Sequence, residues 1–356
     1  MTTYSHYTPS IHERRNDPAV GLWLLGTALM IFAMALIGAI TRLTESGLSI
    51  MEWAPLSGTL PPMSAAEWQR LFDLYKTIPE YQTVNRGMSL AEFQEIFWWE
   101  WIHRLWGRLI GVVYGLPLIW FLLRGRLKRR SLPHLFGILI LGGAQGLLGW
   151  FMVASGFADR TDVSQYRLAA HLGLALFLYA YVFWMALTFL DPRPERSGDA
   201  TSLRVLLIAF LAFLAVTLTS GALVAGLNAG LIYNDFPLMG GHIVPPEYGQ
   251  YEPFVLNFFE NPPAVQFNHR LLTIMTVAFA IGLWFLSRRG ELSPVARAAF
   301  TLLCLAALLQ FGLGIATLLA AVPVALGALH QAGAMLLLTA TVFALYQLRP
   351  GRETLA

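Results

Sequence analysis

Charge is what this 356-residue chain has least of: 13% of its residues are Asp, Glu, Lys or Arg, against 56% hydrophobic. A soluble globular protein is nearer a quarter charged. That makes a soluble enzyme, a nucleic-acid binder or a disordered chain a poor fit, and points to a polytopic membrane protein. Cysteine is almost missing as well. The single one, Cys304, lies in an apolar run. One thiol excludes an intramolecular disulfide, a four-cysteine zinc site and a thiolate-held iron–sulfur cluster, and leaves Cys304 as a small buried hydrophobe. The N-terminal stretch has neither an apolar core nor a small-residue cleavage site. The first hydrophobic segment is therefore expected to remain in the mature protein.

What is present is a series of apolar runs. A bilayer core of about 30 Å takes roughly 20 apolar residues per helix. Eight runs qualify, at about 21–41, 103–123, 134–155, 168–190, 204–226, 269–287, 297–320 and 323–347. With the N-terminus inside, 15 Lys and Arg fall on the inner segments, including the run Arg124 to Arg130, and six on the outer ones. That bias predicts both termini inside. The expected fold is all-α, with eight spans forming two tandem, pseudo-symmetric four-helix bundles at 21–190 and 204–347. A linker at 191–203 joins them, and tails at 1–20 and 348–356 flank them. Two long outer loops are expected, at 43–102 and 227–268. In the first, Ser64 with Glu67 and Ser89 with Glu92 have capping-box spacing. Trp68, Leu71, Phe72 and Tyr75 fall on one helical face, to lie either at the outer membrane surface or on the other outer loop. The segment from Leu90 is expected to run straight into the second span.

The two halves repeat each other. GAITRLTESGLSI after the first span matches GALVAGLNAGLIY after the fifth, and WEWIHRL matches VQFNHRL. AQGLLGWFM matches LQFGLGIATL, and RLAAHLGLALFLY matches LGALHQAGAMLLL. Each unit has four spans, so both halves share one topology, as in parallel-repeat membrane proteins.

Four of the eight histidines occupy repeat-equivalent places: His103, His171, His269 and His330. All lie in the outer part of even-numbered spans, so the four imidazoles share roughly one depth. One histidine in a span can be a helix–helix hydrogen-bond donor; four in a repeated pattern point to ligation of a metal or haem. Few carboxylates and no cysteine join them, which disfavours zinc and copper. Two helices with one imidazole each suit a six-coordinate haem, one per half. His103 pairs with His171, and His269 with His330. Arg104 and Arg270 follow two of these histidines. Each is either a partner for a haem propionate or an interfacial snorkeller. Glycines around the sites, among them Gly107, Gly111, Gly142, Gly143, Gly146, Gly149, Gly312, Gly314, Gly327 and Gly333, serve close helix approach or make room for a macrocycle. His6, His12, His134 and His242 read as solvated.

The halves differ at one telling place. Glu100 stands one turn before His103, and the matching residue before His269 is Gln266. A carboxylate can move protons and a carboxamide cannot. The first half can therefore host chemistry while the second holds a static cofactor; the plainer alternative pairs Glu100 with Arg104.

These motifs (TRLTESGLSI, EWIHRLWGRLIG, QGLLGW, VSQYRLAAHLG, GALVAGLNAGLIYNDFP, FENPPAVQFNHR and the final LHQAG) together resemble the haem A synthase family over nearly the whole chain, most closely its mitochondrial and alphaproteobacterial branch. The resemblance implies an oxidoreductase that converts the C8 methyl of haem O to a formyl group through a hydroxymethyl intermediate, haem I, supplying haem A to terminal oxidases. It implies haem b on His269 and His330, the substrate haem at His103 and His171, and a catalytic carboxylate at Glu100. It further implies a bacterial inner membrane, haem sites toward the periplasmic side, and haem O synthase as substrate donor. Some members carry a cysteine pair in the first outer loop; residues 43–102 here contain none, which excludes a thiol role for that loop. The electron partner, the source of oxygen and any homo-oligomer stay open. Two other classes are a bis-His di-haem cytochrome b serving only electron transfer, and a haem carrier. The shared depth of the four histidines and the lone carboxylate favour the enzyme over both.

Overall fold

The computed structural model describes residues 17–53, 57–154, 163–190 and 200–349. The outermost tails and most of the 191–203 linker, with His6 and His12, lie outside the described residues. Ten α-helices are found among the described ones: α1 (Pro18–Leu43), α2 (Ala65–Tyr75), α3 (Pro79–Thr83), α4 (Leu90–Leu123), α5 (Leu132–Ala154), α6 (Gln165–Leu190), α7 (Thr201–Gly226), α8 (Pro262–Arg289), α9 (Pro294–Leu319) and α10 (Val324–Gln347). Eight of them, all but α2 and α3, are long and apolar enough to cross a membrane. The protein is thus an all-helical, multi-pass membrane protein.

Local chemistry sets the helix starts. Asp17 caps α1 through the Ala19 amide, with Pro18 in the first turn. Asn261 and Ser293 do the same for α8 and α9. Ser89 and Glu92 form a complete capping box, so α4 begins 13 residues before the expected start of the second span and projects outward. Ser64 caps α2 through the Glu67 amide, but the Glu67 carboxylate accepts from Met63 instead of the cap residue.

The spans pack as one body. α1 lies against α4 and α6, and α5 against α6; α7 lies against α8, α8 against α9, and α9 against α10. The halves join where α1 meets α10 and α6 meets α7, with α6 and α10 touching between them. One buried cluster draws on all eight spans and sits toward their inner ends, from Leu24 and Phe121 to Phe300 and Leu338. The outer ends pack differently. Every residue from Met30 to Ile40 of α1, and from Trp101 to Arg108 of α4, is only half-buried.

The first outer loop has its own core of Leu48, Phe72, Tyr75, Ile78, Phe93 and Phe97. The apolar face of α2 therefore covers the outward extension of α4 rather than the second outer loop. Stacked Phe72 and Phe93 rings, 5.1 Å apart, mark the contact.

Several of the glycines noted above border open space, which fits the second of their two expected roles. A Cβ built on Gly111, Gly142, Gly143, Gly146 or Gly312 meets nothing within 4 Å. These are not helix contacts, and α4 and α5 indeed touch at few places. Others of the set do make close approaches, Gly327 against Leu43 and Gly333 against Gln310, as do Gly226 against Gln165 and the four glycines described next, two of which, Gly149 and Gly314, also belong to the set.

Candidate functional site: a layer of four histidines

Each of the four repeated histidines presents the Cε1 edge of its ring to a glycine on the preceding span. A Cβ on Gly38 would lie 3.1 Å from His103, one on Gly149 2.9 Å from His171, one on Gly221 3.0 Å from His269, and one on Gly314 3.0 Å from His330. Each glycine stands five residues before the end of its helix. The rings therefore sit at matched depths, as the repeat predicts. His103 and His171 are close enough to interact electrostatically, and so are His269 and His330.

Two residues not singled out in the sequence complete this layer. The Gln145 amide nitrogen lies 3.2 Å from Nδ1 of His171, and that of Gln310 lies 3.1 Å from Nδ1 of His330. Both glutamines stand one turn before their glycine, within the repeated AQGLLGWFM and LQFGLGIATL. The repeat was the signal that marked them.

The other pair of histidines differs between halves. Nδ1 of His269 is 2.8 Å from the Ser220 hydroxyl. The residue before Gly38 in the first half is Ile37, and Nδ1 of His103 is buried without a hydrogen-bond partner.

Glu100 is 3% exposed, and among the described residues it is the only buried carboxylate in a span. Its Oε2 accepts from the Ser49 hydroxyl and the Ile50 amide, both at 2.7 Å. Its Oε1 accepts from Nε and Nη2 of Arg104 at 3.0 and 2.6 Å. Arg104 also donates to the carbonyls of Ile50 and Glu52. The plain pairing of Glu100 with Arg104 is thus made, but inside a wider network that closes the first outer loop onto α4. In the second half Gln266 donates to the Tyr233 carbonyl at 3.0 Å. Arg270 donates to the carbonyls of Tyr233, Asp235 and Leu238. Both arginines clamp an outer loop over the histidine layer, and Arg270 retains a buried Nε without a partner.

His134 is exposed at the opposite end, against the Tyr181 hydroxyl, and His242 is exposed in the second outer loop. No group of three or more His, Cys, Asp or Glu suited to a bare metal ion exists among the described residues. The donor set fits paired axial imidazoles on a flat group better. Four bare glycine flanks let the rings stand edge-on to the neighbouring helix, and the half-buried outer helix faces leave width around them.

Fold and site together define a multi-pass helical membrane protein with two matched histidine pairs toward the ends of its spans that carry the two long loops. Its family is equally plain. Residues 21–342 match the family model described as cytochrome oxidase assembly protein, and the chain belongs to that family. It is 52% identical to the haem A synthase of Rhodospirillum centenum, over 93% of this chain and 89% of that protein. It is 48% identical to that of Nitrosospira multiformis, over 93% of each chain. It is 49% identical to that of Paramagnetospirillum magneticum, over 92% of this chain and 93% of the relative.

Proposed function

We propose that this protein is a haem A synthase, an oxidoreductase that converts the C8 methyl of haem O to a formyl group by way of haem I. The identities to haem A synthases over nearly the whole chain support the activity. The observation that carries the assignment of roles is the inequality of two otherwise matched sites. Glu100 stands before His103, and Gln266 stands before His269.

On this reading His269 and His330 hold haem b, and His103 and His171 receive haem O. A bis-imidazole haem b supplies one-electron transfer. The rest falls to the chain's own side chains. Oxidising a methyl to an aldehyde releases protons, and Glu100 is the buried carboxylate placed to take one. Ser49, Ile50 and Arg104 hold both of its oxygens in fixed directions, so it is positioned before substrate arrives. Arg104 and Arg270 keep the two outer loops shut over the layer. The free Nε of Arg270 is the donor available to a propionate; Arg104 is bonded at each of its three guanidinium nitrogens and meets a propionate only as part of its clamp. The site faces the outer side of a bacterial inner membrane with both termini inside, haem O synthase delivers the substrate, and haem A passes on to terminal oxidases.

The test is haem extraction and chromatography of protein purified from cells that make haem O. Haem b together with haem O, haem I or haem A supports the proposal. Haem b alone, in two equivalents, favours an electron-transfer cytochrome. No tightly held haem overturns both.

A further inference from the structure

The serine that meets His269 has only one proton to give, and two neighbours within reach of its oxygen, the Thr217 carbonyl and His269 Nδ1. Ser220 Oγ donates to the Thr217 carbonyl at 2.7 Å, and a carbonyl can only accept. Toward His269 the same oxygen lies 2.8 Å from Nδ1, and with Nε2 reserved for iron, as assigned above, Nδ1 is the donor and Ser220 Oγ the acceptor. Nδ1 carries the proton, and the lone pair is left on Nε2. A histidine that ligates a metal is typically held this way, with its second nitrogen donating to a fixed acceptor that sets tautomer and ring orientation. The repeat-equivalent residue in the first half is Ile37, which offers no acceptor, and Nδ1 of His103 is buried and unpartnered.

We infer that Ser220 is a positioning residue that locks His269 as a permanent axial ligand, and that Ile37 at the matching place leaves His103 as the ligand able to let go. This rests on the assignment of the histidine pairs to haem made above. It gives the two sites opposite tasks by one substitution. A resident cofactor needs a ligand that stays, and a substrate that must leave as product needs one that does not.

The experiment uses the full-length protein purified in detergent with its haem. The readouts are the rate of haem loss on washing, the low-spin electron paramagnetic resonance spectrum and the midpoint potential. Losing an outer-shell partner of this kind typically costs about 10- to 100-fold in affinity. Ser220→Ala is therefore expected to lose haem b at least about 10-fold faster. The potential should rise, because the imidazole becomes a weaker donor to the oxidised iron. Ser220→Thr, which keeps the hydroxyl, should restore both. Ile37→Ser should slow loss of the first-half haem. An unchanged loss rate, spectrum and potential in Ser220→Ala overturns the inference, even while His269→Ala loses its haem and so leaves the haem assignment standing. Full haem retention in His269→Ala overturns that assignment and the inference with it.

Discussion

Glu100 and Gln266 bond to equivalent outer loops with opposite polarity. The carboxylate accepts from the Ile50 amide, whereas the carboxamide donates to the Tyr233 carbonyl. The neighbours have adjusted to match: Ser49 gives Glu100 a hydroxyl donor, and the corresponding position beside Gln266 is Ile232. Glu100→Gln is therefore predicted to keep its fold and its haem b but to stop forming the formyl group, read by chromatography of extracted haem. Normal haem A yield would remove Glu100 from the chemistry. A second prediction concerns the glycine flanks. Gly221→Ala places a Cβ 3.0 Å from the His269 ring, tighter than most real contacts, so the ring must give by a few tenths of an ångström. The ring has to tilt, so the absorption bands of the bound haem should move or weaken; unchanged bands would mean the glycine is only a helix-propensity defect. The histidines and Glu100 were legible in the sequence because an internal repeat acts as its own control: a residue type that recurs, or fails to recur, stands out. Ser220 was not legible, because a serine before a glycine in an apolar span reads as ordinary small-residue packing until its two hydrogen bonds are seen.

The elements carry a lesson about partners. Capping-box spacing and a 3.6-residue apolar stripe located α2 and the start of α4 correctly, since both depend on neighbours in sequence. Neither says what an apolar face covers, and α2 packs on the extension of α4. Phe93 is fully buried at that junction, between Phe72, Tyr75 and Phe97. Phe93→Ala is predicted to weaken the outer cap by about 3–5 kcal/mol, as for a buried aromatic. Hydrogen exchange should show residues 57–89 opening while the spans stay protected; uniform protection would mean the cap is held mainly by the Arg104 clamp. The same cap has a mild acid sensitivity. The hydrogen bond from Arg70 holds the Glu52 carboxyl below its usual range. A lowered folded-state value contributes stability above the unfolded one and loses it as pH falls. Both side chains are about half exposed, so the pair is worth at most about 1 kcal/mol. Loop protection should fall slightly below about pH 4.5 in wild type and less in Arg70→Gln, where Asp73 and Glu92 still carry lowered values.

At the scale of the whole molecule, the sequence halves are clear and the structural boundary between them is not. Repeats reveal which segments correspond, but the contacts that join unlike segments carry no repeat signal. Those contacts run from end to end. Tyr346 donates to the Leu187 carbonyl and Tyr179 meets Thr339 near the inner and middle levels. At the outer end Arg42 bonds Ala225 and Asn228, while Gln165 and Tyr166 both reach Glu260. A seam of this kind holds two histidine pairs at a fixed spacing, which electron transfer between them would require on the reading proposed above. At Gly226 an added Cβ would fall 2.6 Å from the Cα and Cβ of Gln165, with no flexible side-chain end to move aside, unlike Gly327, where the equally close atom is a Leu43 methyl. Gly226→Ala should then separate the outer ends of α6 and α7 and cost about 1–3 kcal/mol, the usual range for overpacking. Gly282, in α8 with nothing within 4 Å of its added Cβ, is the control, and Gly282→Ala should be neutral or slightly stabilising. Thermal unfolding of the two variants in detergent should show a lower midpoint for Gly226→Ala alone, together with weaker electronic exchange between the two sites. Equal midpoints would mean that the halves are joined chiefly through the inner core, and that the outer seam is free to breathe.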